Sequence, residues 1–283
     1  MKELDLIRRL LPFMSGAGGD LLIGPGQDDA AAWRQPDGTF VVATCDTSVE
    51  GVHFDLRRQT AEAVGWRALC FALGDLAAKG AAPTFGLVSL SMPRRWPIDT
   101  AVGIYRGLAR LADEVGLRVV GGDTTAAPND GSLTFMLLGT TRLTPRPRST
   151  VRPGWLVGVT GALGAPSLAC DRPRPRLQLG AELAAAGLCC GDISDGLLIE
   201  MDKFAAAAGV GARIRLDAVP RVEGTSPEAA VASGEEVELV CCGPGLPAGL
   251  HAVGELTVES RVVLLDTEGR EVAVGNRGYD HFA

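Results

Sequence analysis

Strand-like and helix-like runs alternate through the first half of the chain, and this alternation limits the fold more than any other sequence feature. Apolar or alternating runs predict strands, and apolar side chains at helical spacing predict helices. The predicted strands are residues 40–44, 86–92, 118–120 and 133–140, and the predicted helices are residues 61–79 and 98–115. Such a mixture of elements is typical of an α/β or α+β protein.

A change of composition at residues 144–153 divides the chain. This stretch, TPRPRSTVRP, is rich in proline and arginine and contains Val151 as its single apolar residue, which is typical of a domain boundary. Beyond it, residues 156–160 and 261–265 predict strands, while 180–186 and 197–208 predict helices. We therefore expect two domains, residues 1–147 and 148–283.

The composition excludes several classes of protein. The chain has 27 Lys and Arg against 34 Asp and Glu, and this net charge of −7 argues against a nucleic-acid binder. No run approaches the roughly 18 apolar residues of a membrane span. Residues 1–14 mix charges into an apolar pattern, which predicts an amphipathic helix and not a signal peptide. Seven cysteines without CxxC spacing favour reduced thiols in a cytoplasmic protein.

Aspartates recur where strands end and where glycines allow tight turns. They are Asp28, Asp29, Asp46, Asp123, Asp192 and Asp195, while Asp75 lies inside the helix predicted for residues 61–79. Carboxylate oxygens are the ligands that Mg²⁺ prefers, usually shared with substrate phosphates. Only cations would keep so many carboxylates ionised in one cleft. The pattern predicts a phosphate site with several Mg²⁺ ions.

Each aspartate also has a purely structural interpretation. Asp is common in turns and at helix N-caps, and Asp192 or Asp195 could cap the helix that begins near Leu197. Asp75 is harder to explain this way, because an aspartate inside a helix is neither a cap nor a turn. Lys79 ends its helix, where a cation is favourable without any function. The P-loop, protein-kinase and dinucleotide-binding motifs are absent from the sequence.

The ordered motifs resemble those of the thiamine-monophosphate kinases, whose superfamily includes aminoimidazole ribonucleotide synthetase. The matching segments run in family order along nearly the whole chain. They are residues 27–31, 44–54, 74–81, 104–108, 121–125, 148–149, 192–197, 233–236 and 278–282.

This resemblance implies an ATP-dependent kinase that phosphorylates thiamine monophosphate by direct in-line transfer with several Mg²⁺ ions. It also implies a homodimer in which the N-terminal domain binds ATP and Mg²⁺. The mixed sheet of that domain would pair across the dimer axis with its helices outside, and a C-terminal α+β sandwich would complete the cleft. Two alternatives remain open: a relative in the superfamily with a different acceptor, and a nucleotide-binding protein without turnover.

Residue by residue, the resemblance implies three groups of site residues. The Mg²⁺ ligands would be Asp29, Asp46, Asp75, Asp123, Asp192 and Asp195, of which Asp46, Asp123 and Asp195 would be catalytic. The nucleotide contacts would be Thr44, Cys45, Tyr105, Gly121, Gly122, Arg148 and Ser194. The thiamine phosphate contacts would be His53, Glu235 and Tyr279.

Overall fold

A computed structural model describes residues 3–16, 18–164 and 172–282 of the chain. Within these residues the chain forms six α-helices and thirteen β-strands. The helices are α1 (Glu3–Leu10), α2 (Ala61–Ala78), α3 (Ile98–Val115), α4 (Leu177–Ala185), α5 (Leu197–Ala208) and α6 (Pro227–Val231). The strands are β1 (Leu21–Ile23), β2 (Ala31–Arg34), β3 (Phe40–Val49), β4 (Ala82–Pro93), β5 (Arg118–Ala127), β6 (Ser132–Thr141), β7 (Leu156–Val159), β8 (Cys189–Asp192), β9 (Gly211–Arg215), β10 (Leu239–Gly243), β11 (His251–Thr257), β12 (Val262–Leu265) and β13 (Glu271–Val272).

Two separate mixed sheets organise the molecule. The first has the order β1-β2-β3-β6-β4-β5, with β4 and β5 parallel and β5 at its edge. The second has the order β13-β12-β9-β11-β7-β10-β8, with β12 and β9 parallel and β8 at its edge. The mixed α/β fold expected from the sequence is therefore confirmed. The sheets lie on opposite sides of residue 148 in the chain, and the exact domain limits stay a prediction.

Helix α2 is the element that both halves of the molecule share. Its side chains Leu69, Leu73 and Leu76 are fully buried in the core of the first sheet. At its C-terminal end, Ala77 and Ala78 belong to another apolar cluster, together with residues of α4, β8 and β10. Because of this second contact, Asp75 near the end of α2 lies where the two sheets approach each other.

The predicted helices at 98–115 and 197–208 have the bounds that their periodicity indicates. The N-terminal helix is shorter than predicted, since α1 ends at Leu10 and a 3-10 turn follows at Leu11–Phe13. Met1 and Lys2 of that prediction lie outside the described residues. Among the helices that the structure describes, none is both long enough and apolar enough to cross a membrane.

The expectation of reduced thiols is wrong for one pair of cysteines. Cys190 on β8 and Cys241 on β10 form a disulfide, with their Cα atoms 4.1 Å apart. They lie directly opposite each other on neighbouring antiparallel strands. This register brings the two side chains together. The pairing was not predictable because neither strand was predicted from the sequence.

Candidate active site

Three aspartates from distant parts of the chain meet where the two sheets approach each other. Asp29 follows the turn after β1, Asp75 lies on α2, and Asp192 ends β8. One carboxylate oxygen from each lies within 4.8 Å of the others. The structure thus brings together three of the six aspartates that the resemblance marks as metal ligands.

Burial and nearby negative charge disfavour the ionised forms of two carboxyls in this cluster. Burial, and then the neighbouring Asp29, raise the pKa of Asp75 well above its usual range. Burial and the charge of Asp75 do the same to the pKa of Asp192. The Oδ1 atom of Asp192 is buried without a hydrogen-bond partner. An unpartnered oxygen beside two further carboxylates fits a hard divalent cation better than it fits a purely structural cluster.

Three cations lie around the cluster and compensate part of its charge: the buried Lys79 and Arg148 and the half-buried Lys203. The Nζ atom of Lys79 lies 2.5 Å from Asp28, and Arg148 is paired with Asp28, Asp29 and Glu200. Burial alone would raise the pKa of Asp29, but the charges of Arg148 and two lysines lower it to about 2. Lys79 does end its helix as expected, but its side chain is also fully buried in an ion pair with Asp28.

Strand β3 presents its candidate residues on two opposite faces. Thr44 points inward, and its hydroxyl donates a hydrogen bond to Asp75. Asp46 lies two residues further along the strand and so shares the face of Thr44, and burial raises the pKa of its carboxyl. The intervening Cys45 is exposed on the other face, opposite Met136 of β6. The structure therefore does not bring the Cys45 thiol to the carboxylates.

The segment Ser194–Asp195 connects the aspartates with the predicted thiamine phosphate contacts. The carbonyl of Ser194 accepts a hydrogen bond from Glu235 N at 2.7 Å, and the carbonyl of Asp195 accepts one from Tyr279 N at 2.9 Å. Neither Asp192 nor Asp195 caps α5, because the N-cap residue is Gly196 and it makes no side-chain cap. The interpretation of these aspartates as helix caps is therefore wrong.

His53 joins the same region through an aromatic contact that the sequence did not reveal. Its Nδ1 accepts a hydrogen bond from Val49 N at 3.1 Å, which leaves the proton of the neutral ring on Nε2. The centroid of its ring lies 5.3 Å from that of His281, which in turn lies 4.8 Å from the ring of Tyr279. Two of the three predicted thiamine phosphate contacts are thus joined through His281.

Glu235, the third of those contacts, has an unusual backbone. Its φ of 51° is the one positive value among the described residues other than glycine. A residue with a Cβ rarely adopts this conformation, so surrounding contacts must hold it there. Besides its backbone bond to Ser194, its carboxylate lies 3.7 Å from the guanidinium of the buried Arg67. These contacts fix the carboxylate beside Ser194 and Asp195.

The predicted nucleotide contacts do not all lie together, and three of them share a groove with Asp123, a predicted Mg²⁺ ligand. Tyr105, Gly121, Gly122 and Asp123 line a groove of about 770 Å³ between α3 and the edge strand β5. A Cβ on Gly122 would clash with the carbonyl of Val88, so glycine is needed at this position for β5 to pair with β4. Arg148 lies elsewhere, buried behind the Asp29–Asp75–Asp192 cluster, and Asp123 is exposed outside that cluster.

Sequence reasoning missed Lys79, Glu200 and Lys203 as parts of the site. The available signal was weak: Glu200 and Lys203 stand three residues apart in the run LLIEMDKF, which also contains the charged Asp202. In an isolated helix this spacing indicates only a surface ion pair. Their role depends on Arg148 and Asp29, which come from distant parts of the chain.

Comparisons with known proteins agree with this geometry. Residues 27–141 match the family of AIR synthase related protein, N-terminal domain. The thiamine-monophosphate kinase of Methanopyrus kandleri is 32% identical over 82% of both chains, and that of Synechococcus elongatus is 30% identical over 90% of both. The chain belongs to the thiamine-monophosphate kinase family.

A solved structure supports the membership of this kinase family over the whole chain. AaThiL complexed with AMPPCP and TMP superimposes with a TM-score of 0.83 at 26% identity, covering 99% of this chain and 97% of that one. The likeness therefore includes both sheets, and the junction between them where the aspartates meet. The enzyme is a thiamine-phosphate kinase by family.

Proposed function

We propose that this protein transfers the γ-phosphoryl group of ATP to thiamine monophosphate, giving thiamine diphosphate and ADP. The observation that carries the proposal is the buried Asp29–Asp75–Asp192 cluster with its unpartnered oxygen. Membership of the kinase family and the likeness to AaThiL with AMPPCP and TMP support both substrates.

The donor set of the cluster fits Mg²⁺. Asp29, Asp75 and Asp192 would hold the first ions, and Asp46, Asp123 and Asp195 are proposed as further ligands. Mg²⁺ bound there would neutralise the charge of the polyphosphate and align the two substrates. The buried cations Lys79 and Arg148 cannot replace it, because they are already paired with Asp28, Asp29 and Glu200.

The two substrates are proposed to bind on different sides of these carboxylates. Tyr105, Gly121 and Gly122 would contact the nucleotide in the groove beside β5. His53, Glu235 and Tyr279 would hold thiamine phosphate around Asp195, with the Nε2–H of His53 as a donor to its phosphate. The acceptor oxygen is already ionised at neutral pH, so these residues need only orient it for direct in-line transfer.

We propose the cytoplasm as the place of this reaction.

A homodimer is the proposed assembly. The face of the first sheet that points away from α2 and α3 exposes Phe85, Leu87, Val120 and Met136, each between 39% and 57% accessible. These side chains lie on the adjacent strands β4, β5 and β6. A contiguous apolar face of this kind marks an interaction surface, and the resemblance implies that a second copy covers it.

The proposal is tested by coupled ADP release with ATP, Mg²⁺ and a panel of phosphorylated acceptors. We expect turnover with thiamine monophosphate, and turnover with another acceptor alone would refute the substrate assignment. Asp123→Asn should lower turnover at least about a hundredfold, as loss of a metal contact does. Asp130→Asn, a matched change at an exposed aspartate, should leave turnover unchanged. Recovery of a phosphorylated protein in a single turnover would contradict direct transfer.

A further inference from the structure

The carboxylate of Glu200 on α5 is fully buried, yet it has no role in the proposed reaction. Its Oε2 lies 2.5 Å from Nη2 of Arg148, and its Oε1 is paired with Nζ of Lys203. Burying a carboxylate destabilises the folded state unless the carboxylate is paired, and Glu200 is paired with two cations.

Each of these cations is shared with a proposed Mg²⁺ ligand. The same Nη2 of Arg148 that contacts Glu200 also pairs with Asp29. The same Nζ of Lys203 lies 2.9 Å from Asp195. Glu200 therefore stands between two cations, each of which also holds one carboxylate of the active site.

A side-chain cation and a metal ion compete for the same carboxylate oxygens. Without Glu200, Arg148 and Lys203 would direct their whole charge to Asp29 and Asp195, and both carboxylates would bind Mg²⁺ less readily. The surroundings leave Arg148 little freedom to move elsewhere, since its guanidinium packs 5.5 Å from the ring centre of Phe204 and is almost completely buried.

We propose that Glu200 is a positioning residue that, by direct contact, shares Arg148 with Asp29 and Lys203 with Asp195, so that neither carboxylate alone holds its cation and both can bind Mg²⁺. The inference rests on the proposed metal site. It assigns Glu200 no contact with substrate or metal; its effect passes through the two cations.

The test measures Mn²⁺ binding, by the electron paramagnetic resonance signal of free Mn²⁺, in the full-length protein without nucleotide. Glu200→Gln removes the charge, and Glu200→Asp keeps it but shortens the side chain by about 1.5 Å, so that it cannot reach both cations. Lys203→Met frees Asp195 from its cation. Glu182→Gln, at an exposed site on α4, is the matched control. Circular dichroism verifies that each variant is folded.

We expect both Glu200 variants to bind Mn²⁺ about tenfold more weakly than the wild type, as when partners of metal ligands are lost. Lys203→Met should bind it several times more tightly, and Glu182→Gln should bind it like the wild type. Wild-type affinity in Glu200→Asp would show that charge alone matters and would overturn the inference. Weaker binding in Lys203→Met would overturn it too, even if a Glu200 variant failed to fold. A wild-type protein that binds no Mn²⁺ would instead refute the proposed metal site.

Discussion

At the scale of single residues, the same side chain behaves differently according to its neighbours. Asp29 is beside Arg148 and has a pKa of about 2. Burial and the charge of Asp29 raise the pKa of Asp75 well above the usual range, and burial and the charge of Asp75 do so for Asp192. In the metal-free protein, Asp75 and Asp192 therefore hold protons at a pH where Asp29 does not. A divalent cation would replace those protons.

We predict that the stability of the metal-free protein depends on pH through these two carboxyls. Their pKa values are higher in the folded than in the unfolded chain, so the folded state binds more protons above the unfolded value of about 3.9. Their contribution to the free energy of unfolding is full below that pH and is lost as the pH rises through the folded values. The melting temperature in a chelator should therefore fall as the pH is raised above the unfolded value.

Two comparisons isolate this effect from that of other groups. Asp192→Asn removes one of the titrating carboxyls and should make the melting temperature less dependent on pH than in the wild type. Excess Mg²⁺ should raise the wild-type melting temperature most at the higher pH, because deprotonated carboxylates bind the ion. An equal pH dependence in wild type and Asp192→Asn would contradict the prediction.

The charged residues around the aspartates show why the sequence predicts a site only in part. Asp75 was recognisable because it interrupts an apolar helix. Lys79 was not, since a lysine at a helix end has an ordinary explanation, and its partner Asp28 lies 51 residues earlier in the chain. Tertiary contacts of this kind leave no local pattern.

At the scale of elements, periodic helices were predictable and short buried strands were not. Helix α3 has a clear apolar face and ends at Gly116 in the left-handed conformation, so both its pattern and its end are visible in the sequence. Strands β8 and β10 are completely buried runs of four and five residues containing glycine. Such runs lack the alternation that identifies a strand with one exposed face.

We predict that the link between β8 and β10 stabilises the C-terminal sheet. The disulfide closes a loop across 51 positions, which by loop entropy alone is worth up to about 4 kcal/mol. Denaturant unfolding of the Cys190→Ser, Cys241→Ser double variant should show a free energy of unfolding lower by up to that amount. Treatment of the wild type with a reducing agent should have the same effect.

The double variant itself provides the control for the reducing agent. Because it lacks the disulfide, a reducing agent should leave its unfolding curve unchanged. Identical unfolding curves for the oxidised and reduced wild type would show that the disulfide does not contribute to stability.

At the scale of the whole molecule, the exposed apolar face of the first sheet predicts the oligomeric state. Met136→Asp places a charge in the middle of that face, beside Leu87 on the neighbouring strand. Burying an unpaired charge in an interface is strongly unfavourable. Analytical ultracentrifugation should therefore find a dimer for the wild type and a monomer for the variant. Val258→Asp, a matched change at an exposed apolar residue of the second half, should remain dimeric. A monomeric wild type would contradict the prediction.

The position of α2 between the two sheets means that the halves of this protein are not modular. A Cβ on Gly180 of α4 would clash with the carbonyl of Ala77, so the backbones of the two halves touch directly there. A fragment that ended near residue 147 would expose Ala77 and Ala78, and its buried Lys79 would lose the carbonyl of Cys190 as an acceptor. Chimeras of related enzymes should therefore exchange α2 together with the C-terminal half, even though α2 ends about 70 residues before that half begins.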